Sequence, residues 1–196
     1  MTPGRRSAAR TVAIALRAAS ALAGSSPTCA LDAASAVRPH PHKTNGGEDA
    51  LFCGDSVYGV FDGVGGWASK GIDAGDFSRR LATATHNHLT SQPHLTMTAA
   101  LKAGLGEVKV LGSCTACMVR IRRSESVMQA LNLGDSGWRC YRPDERKLRL
   151  VAASKSQQHY FNVRANPREH LRGSTCARAP ARECAHLRAS APTCAR

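Results

Sequence analysis

Short β-type runs separated by glycine fill residues 46–162 of this chain, and this pattern constrains the fold more than any other feature. Apolar and β-branched runs bounded by turn residues predict strands, here at 50–53, 56–61, 114–121, 127–133, 138–141 and 148–152. Two stretches between them, 77–90 and 98–108, have helical length, and the first repeats its larger residues on one face. The pattern predicts an α+β domain with antiparallel sheets.

The net charge of +13 is concentrated at the two ends of the 196-residue chain. Residues 1–43 carry +5, residues 44–162 carry +3 and residues 163–196 carry +5. A nucleic-acid-binding surface would need a basic stripe with interleaved aromatic side chains, and the middle segment does not have one. We therefore expect one domain of ordinary size and no nucleic-acid partner.

The first 43 residues are predicted to form a basic transit-like or disordered arm. Residues 1–37 are rich in Ala, Ser and Arg and contain a single acid, Asp32, which is typical of an organellar transit peptide. We expect a mitochondrial location, with a plastid as the alternative; a secretory signal built on residues 11–16 would be interrupted by Arg17. No run reaches the roughly 20 apolar residues of a membrane span, so we expect a soluble protein without such a span, and a monomer.

The last segment, residues 163–196, is a low-complexity sequence that contains a repeated motif. His170-Leu171-Arg172 precedes "TCAR" at 175–178, and "HLR" at 186–188 precedes "TCAR" at 193–196. Text of this composition does not build a packed core. We interpret it as a disordered tail or a gene-model artefact, such as intron read-through or a frame shift.

Cys114-Thr-Ala-Cys117 has the spacing of a zinc-knuckle or redox pair. It has no second cysteine pair and it continues into apolar residues, which favours a buried strand. Both interpretations stay open from the sequence.

Three acids lie beside predicted strands, each with glycine within two residues. Asp49 follows "GGE" ahead of one strand, Asp62 ends the next strand and precedes Gly63, and Asp135 lies in "NLGDSG" between two later strands. Each of these local sequences is also common in ordinary turns. Together they suggest a site for Mg²⁺ or Mn²⁺, hard cations that prefer carboxylate, carbonyl and water oxygens.

Six short motifs of this chain together resemble those of a known protein family. They are "GEDA" (47–50), "GVFDGVGGW" (59–67), "GIDAGDFS" (71–78), "LGSCTAC" (111–117), "NLGDSG" (132–137) and "QQHYFN" (157–162). In this order they resemble the metal-dependent protein phosphatases of the PP2C/PPM type, and among these the branch of mitochondrial T-cell-activation-phosphatase homologues. The resemblance covers residues 46–162 and implies a partial phosphatase domain at 44–162, the N-terminal half of a PP2C-like α-β-β-α sandwich.

This resemblance implies a phosphoprotein substrate and a dinuclear Mg²⁺ or Mn²⁺ centre. A metal-bound hydroxide would hydrolyse phosphoserine or phosphothreonine, since bound metals lower the pKa of water and neutralise phosphoryl charge. The resemblance implies that Asp49, Asp62 and the carbonyl of Gly63 are metal ligands, with Asp135 at a further metal position. It also implies that Glu48 holds waters. The general acid is unassigned because Val64 stands where many relatives have His, and Lys43 is a candidate contact for the substrate phosphate.

The family's later metal-binding segments are not found after residue 162. We therefore expect the chain as written to be unstable or inactive, because a site with part of its carboxylates binds metal weakly. The alternative is a catalytically dead PPM-like module that binds a partner or phosphoprotein without hydrolysing it.

Overall fold

The computed structural model describes residues 11–20, 29–43, 46–125 and 127–157. Its centre is a four-stranded antiparallel sheet in which neighbours in sequence are neighbours in space. The strands of this sheet, in the order in which they lie, are β3 (Ala50–Cys53), β4 (Val57–Phe61), β5 (Ala116–Arg122) and β6 (Val127–Leu133).

Two helices cover one face of this sheet. Helix α1 (Ala74–Ser91) begins after Asp73, whose side chain accepts a hydrogen bond from the Gly75 amide at 2.8 Å. Helix α2 (Met97–Glu107) begins after Thr96, whose hydroxyl accepts from the Ala99 amide at 3.1 Å. Both caps satisfy amides that a helix leaves without an internal partner. The two helices contact each other, and α1 contacts β3 and β4.

The core lies between the helices and the sheet face that they cover. Alternate strand residues point to one face, and on the covered face Phe52, Phe61 and Met118 are almost fully buried. Helix residues such as Leu81 and Leu101 complete the cluster. On the other face Tyr58 and Cys117 are buried, whereas Leu51, Val60 and Val119 are half-buried.

Two further antiparallel strand pairs lie outside this sheet. Strands β1 (Thr11–Ser20) and β2 (Cys29–Arg38) pair along their whole length, and β1 contacts β4 while β2 contacts β3. Strands β7 (Arg139–Asp144) and β8 (Lys147–Ala153) form the second pair, with a register shift between Cys140 and Tyr141.

The predicted α+β class with antiparallel strands is confirmed. Strands β3 and β6 have the predicted bounds, and α1 begins three residues before the predicted 77 because Asp73 caps it. The described residues contain one helical layer on one four-stranded sheet rather than two large sheets face to face, which agrees with an incomplete sandwich.

The β1–β2 pair lies inside the segment that we predicted as a transit-like or disordered arm. The structure differs there from a disordered arm, since the run "TVAIAL" has the alternating and β-branched residues that favour a strand. A targeting role for this segment stays a prediction. The predicted tail and residues 158–162 of the last motif lie outside the described residues. Within the described ranges, no helix is both long and apolar enough to span a bilayer.

Candidate metal-binding edge of the sheet

Asp49 and Asp62 lie at the same end of the β3–β4 pair. Ala50 is the partner of Phe61 in the antiparallel register; Asp49 directly precedes Ala50, and Asp62 directly follows Phe61. Strand β6 ends at this same edge, since Ala116 at the start of β5 pairs with Leu133 at the end of β6. The topology therefore collects the loops that carry all three predicted aspartates at one edge of the sheet.

The carboxylate of Asp49 is buried with one of its oxygens unpartnered in the described residues. The residue is only 8% exposed, and its Oδ1 atom has no hydrogen-bond partner among the described residues. A buried carboxylate oxygen without a partner is costly. Such an oxygen fits a hard divalent cation, which prefers carboxylate ligands.

Its neighbour Glu48 is also buried and forms an ion pair with Lys43. Lys43 is the basic residue that the sequence offered as a contact for substrate phosphate, and in this structure its ammonium group contacts the Glu48 carboxylate. Partly buried ion pairs are screened by salt less than exposed ones. The pair fixes the position of Lys43 beside the acidic edge.

Gly63 lies where the chain leaves β4 and forms an isolated antiparallel bridge with Cys114. The two hydrogen bonds that flank this bridge come from neighbouring residues: the Thr115 amide donates to the Asp62 carbonyl at 2.8 Å, and the Val64 amide donates to the Ser113 carbonyl at 2.9 Å. The carbonyl of Gly63 takes part in neither bond, so its predicted role as a metal ligand is compatible with the geometry.

Thr115 links Asp62 to the loop that carries Asp135. Its hydroxyl accepts from the Asp62 amide at 3.1 Å and lies 2.6 Å from the Ser136 hydroxyl. Asp135 itself is exposed, and Gly134 before it has a φ of +101° that favours glycine. Neither Thr115 nor Ser136 was predicted as a site residue, although both lie inside the quoted motifs.

Helix α1 holds the segment that precedes Asp49. The buried Ser78 hydroxyl donates to the Glu48 carbonyl, and the guanidinium of Arg79 donates to the Gly47 carbonyl at 3.3 Å. Ser78 lies in the quoted motif "GIDAGDFS", but neither residue was predicted to have a role. Contacts to a backbone carbonyl about 30 residues away leave no local signal in the sequence.

An open cleft of about 300 Å³ adjoins Glu48. One side is formed by residues that precede β3 and the other by the loop and turn before α1; the lining residues are His42, Lys43, Gly47, Glu48, Ala68, Gly71, Ile72, Asp73 and Ala74. A larger cleft of about 430 Å³ lies against α1 and the residues after α2, and none of the predicted metal ligands lines it. The smaller cleft also contains none of the four predicted ligands, and it adjoins the acidic edge through Lys43 and Glu48.

Of the two cysteines of the "CTAC" motif, Cys117 lies in β5, and Cys114 lies two residues before this strand in the bridge with Gly63. Burial raises the pKa of the Cys117 thiol to about 11, and burial together with the negative charge of Asp62 raises the pKa of Cys114 even further. Metal binding and redox chemistry both need a thiolate. The structure thus agrees with the buried-strand interpretation of this motif.

Among the described residues, no group of three or more His, Cys, Asp and Glu side chains converges as a metal cluster. Asp49 and Asp62 share an end of one strand pair, and Thr115 and Ser136 link Asp62 to the loop of Asp135. The assignment of Asp49, Asp62, Gly63 and Asp135 as ligands therefore stays a prediction.

Comparison with known proteins finds relatives named as phosphatases, while no family model matches the chain. The protein phosphatase PTC7 homolog fig of Drosophila pseudoobscura pseudoobscura is 40% identical over 129 residues, which are 60% of this chain and 36% of the relative. The probable protein phosphatase 2C 55 of Arabidopsis thaliana is 41% identical over 63% of this chain and 26% of its own. The chain thus spans well under half the length of these relatives.

A solved structure agrees with this similarity. The photosystem II phosphatase PBCP superimposes with a TM-score of 0.56 at 25% identity, over 78% of this chain and 53% of that chain. The sequence similarity and the fold similarity both agree with the phosphatase resemblance of the motifs at the sheet edge. By sequence and by fold, the chain is similar to part of the PP2C/PPM-type protein phosphatase domain.

Proposed function

We propose that this chain belongs to a metal-dependent phosphatase that hydrolyses phosphoserine or phosphothreonine in proteins, and that its sheet edge supplies one side of the metal site. The observation that carries the proposal is the placement of Asp49 and Asp62 at one end of the β3–β4 pair, with the buried Oδ1 of Asp49 unpartnered in the described residues. The phosphatase names of the relatives support the same activity.

The residues at this edge suit Mg²⁺ or Mn²⁺. Two carboxylates and a backbone carbonyl, from Asp49, Asp62 and Gly63, would hold the cation through hard oxygen atoms. When bound, such ions lower the pKa of a coordinated water and neutralise charge on a phosphoryl group. Asp135 would contribute from the loop after β6.

The protein side chains around the cleft would orient the substrate. Lys43 and His42 line the cleft beside Glu48, and a cation at this position can attract a phosphate monoester. The Lys43–Glu48 pair would hold the ammonium group in place rather than leave it free to rotate. Asp62 is held through its backbone by Thr115, which keeps its carboxylate at the edge of the sheet.

The test is phosphatase activity of the full chain on a phosphothreonine peptide, measured against Mn²⁺ concentration. Asp62→Asn should abolish Mn²⁺-dependent release of phosphate. The matched control is Asp55→Asn, because Asp55 is an exposed acid in the turn at the opposite end of the same strand pair. Measurable phosphate release that is equal in the two variants would overturn the proposed role of Asp62, whereas no release by wild type would agree with the expectation that the chain as written is inactive.

The alternative of a binding module without hydrolysis has its own supporting observation. Fewer than three potential ligand side chains converge in the described residues, so the metal would be held weakly. In that case the chain should bind the phosphopeptide equally well in EDTA and after loss of Asp49 and Asp62, and it should release no phosphate.

The cellular location is proposed from the first segment. The basic composition of residues 1–37 supports import into mitochondria. A fluorescent fusion of the full chain that stays in the cytosol, with the first 37 residues uncleaved, would contradict this location.

A further inference from the structure

The segment before Asp49 is not fixed by the sheet. Pairing between β3 and β4 begins at Ala50, while Gly46 and Gly47 have φ values of +75° and +86°, in the left-handed region. A backbone that combines glycine freedom with no strand partner can adopt many shapes. Its buried carbonyls need hydrogen-bond donors from elsewhere in the molecule.

Two consecutive residues of α1 supply these donors. Ser78, which is 0% exposed, donates its hydroxyl hydrogen bond to the Glu48 carbonyl. Arg79 donates from Nη1 to the Gly47 carbonyl at 3.3 Å, and its Nη2 contacts the Asp73 carboxylate at 2.9 Å. Because Asp73 is the cap of α1, Arg79 joins the start of the helix to the segment ahead of Asp49.

The direction of the Asp49 side chain depends on this backbone. Its Oδ1 has no hydrogen-bond partner in the described part of the chain, so no contact of that atom fixes where the carboxylate points. The peptide groups of Gly47 and Glu48 lie immediately before it. The hydrogen bonds to the Gly47 and Glu48 carbonyls therefore fix the backbone position from which the Asp49 side chain extends.

We propose that Ser78 and Arg79 are positioning residues for metal binding: they hold the Gly47 and Glu48 carbonyls and thereby aim the Asp49 carboxylate at the cation. This inference rests on the proposed function, because it needs Asp49 to be a ligand. Residues that orient metal ligands without touching the metal commonly change metal affinity by about 10- to 100-fold. Helix α1 then becomes part of the metal site through its backbone contacts.

The chain offers a matched pair of arginines for the test. Arg79 and Arg80 are adjacent, both are exposed, and each forms an ion pair with an acid of the α1 start at 2.9 Å. Only Arg79 is also hydrogen-bonded to the Gly47 carbonyl. Arg79→Ala and Arg80→Ala therefore remove similar charge and similar ion pairs, and they differ in the contact at issue.

Two quantities are measured on the full chain: the affinity for Mn²⁺ alone, from the free-ion signal in electron paramagnetic resonance, and amide hydrogen exchange of residues 46–51 in EDTA. Arg79→Ala should weaken Mn²⁺ binding about tenfold and accelerate exchange in this segment, whereas Arg80→Ala should change neither. Arg79→Lys should restore part of the affinity, since it keeps a cation that can reach the carbonyl. Ser78→Ala should act in the same direction as Arg79→Ala.

The outcomes separate the two proposals. If wild type binds Mn²⁺ more tightly than Asp49→Asn, and Arg79→Ala matches Arg80→Ala in both measurements, the positioning role is overturned while the proposed metal site stands. If wild type binds no better than Asp49→Asn, the metal site fails and the positioning role fails with it. A change in melting temperature alone, common to both arginine variants, would also overturn the positioning role.

Discussion

Gly63 lies directly against the backbone of Glu48. A Cβ atom on Gly63 would stand 2.8 Å from the Cβ of Glu48 and 3.1 Å from the carbonyl oxygen of Ala74. These distances are shorter than normal carbon contacts, and the atoms concerned belong to the backbone or its first side-chain atom. The two halves of the acidic edge can approach each other only because this position is glycine.

Gly63→Ala should therefore destabilise the fold. Forcing an extra methyl group into a packed site costs about 1–3 kcal/mol, and the free energy of unfolding in urea should fall by that amount. Gly106→Ala is the control, since a Cβ there would meet no described atom within 4 Å and it lies in helix α2, where alanine is favoured by up to about 1 kcal/mol. A Gly63→Ala variant as stable as wild type would contradict the close packing.

Thr115→Val should weaken the link between Asp62 and the loop of Asp135. The variant keeps the shape of the side chain but removes the oxygen that accepts from the Asp62 amide, and an unsatisfied group of this kind costs about 1–2 kcal/mol. Urea denaturation measures the loss. Thr83→Val, at an exposed position of α1, should change the stability by less than about 0.5 kcal/mol.

The same network predicts non-additive effects. Ser136 contacts the Thr115 hydroxyl at 2.6 Å, so Ser136→Ala should cost more in wild type than in the Thr115→Val background. Equal costs in the two backgrounds would mean that the hydroxyl pair contributes nothing to stability.

The sheet could be predicted from the sequence because its strands are short apolar runs bounded by turn residues. Ala50–Cys53 and Val127–Leu133 have the predicted bounds for that reason. The start of α1 was predicted three residues too late, since the apolar face begins at Phe77 whereas the helix begins at its cap, Asp73. The β1–β2 pair was not predicted because an Ala- and Arg-rich composition is also typical of transit peptides.

The site could be predicted only in part. Asp49, Asp62 and Asp135 were predicted as ligands from their places beside predicted strands and from the motifs that contain them. The register brings the first two to one end of a strand pair, and their role as ligands stays a prediction. Ser78, Arg79 and Thr115 could not be predicted. They act on backbone groups 30 to 53 residues away in sequence, and such contacts depend on how the helices and strands pack.

Thiol reactivity should follow burial. Cys53 is exposed, whereas burial raises the pKa of Cys117 from 9.0 to about 11, which lowers its thiolate fraction at pH 8 about a hundredfold. Timed iodoacetamide labelling with peptide mass spectrometry should modify Cys53 first and leave Cys114 and Cys117 unmodified until urea is added. Rapid labelling of Cys117 in the native chain would contradict the buried-strand assignment.

The raised pKa also predicts a pH effect on stability. The folded chain holds the Cys117 proton more tightly than the unfolded chain, so the stabilisation is complete below pH 9.0 and is lost as the pH rises toward about 11. The free energy of unfolding of wild type should fall across this range, and the fall should be smaller in Cys117→Ala. The same slope in both proteins would assign the pH effect to other groups.

Asp49→Asn should distinguish the destabilising effect of burying this carboxylate from its role in metal binding. In EDTA the variant should be at least as stable as wild type, because it removes a charge from a residue that is 8% exposed and has one unpartnered oxygen in the described chain. With Mn²⁺ at 100 times its dissociation constant, wild type should gain about 2.7 kcal/mol and the variant much less. Thermal melts with and without Mn²⁺ measure both effects. A variant that is less stable in EDTA but responds normally to Mn²⁺ would assign Asp49 a structural role instead.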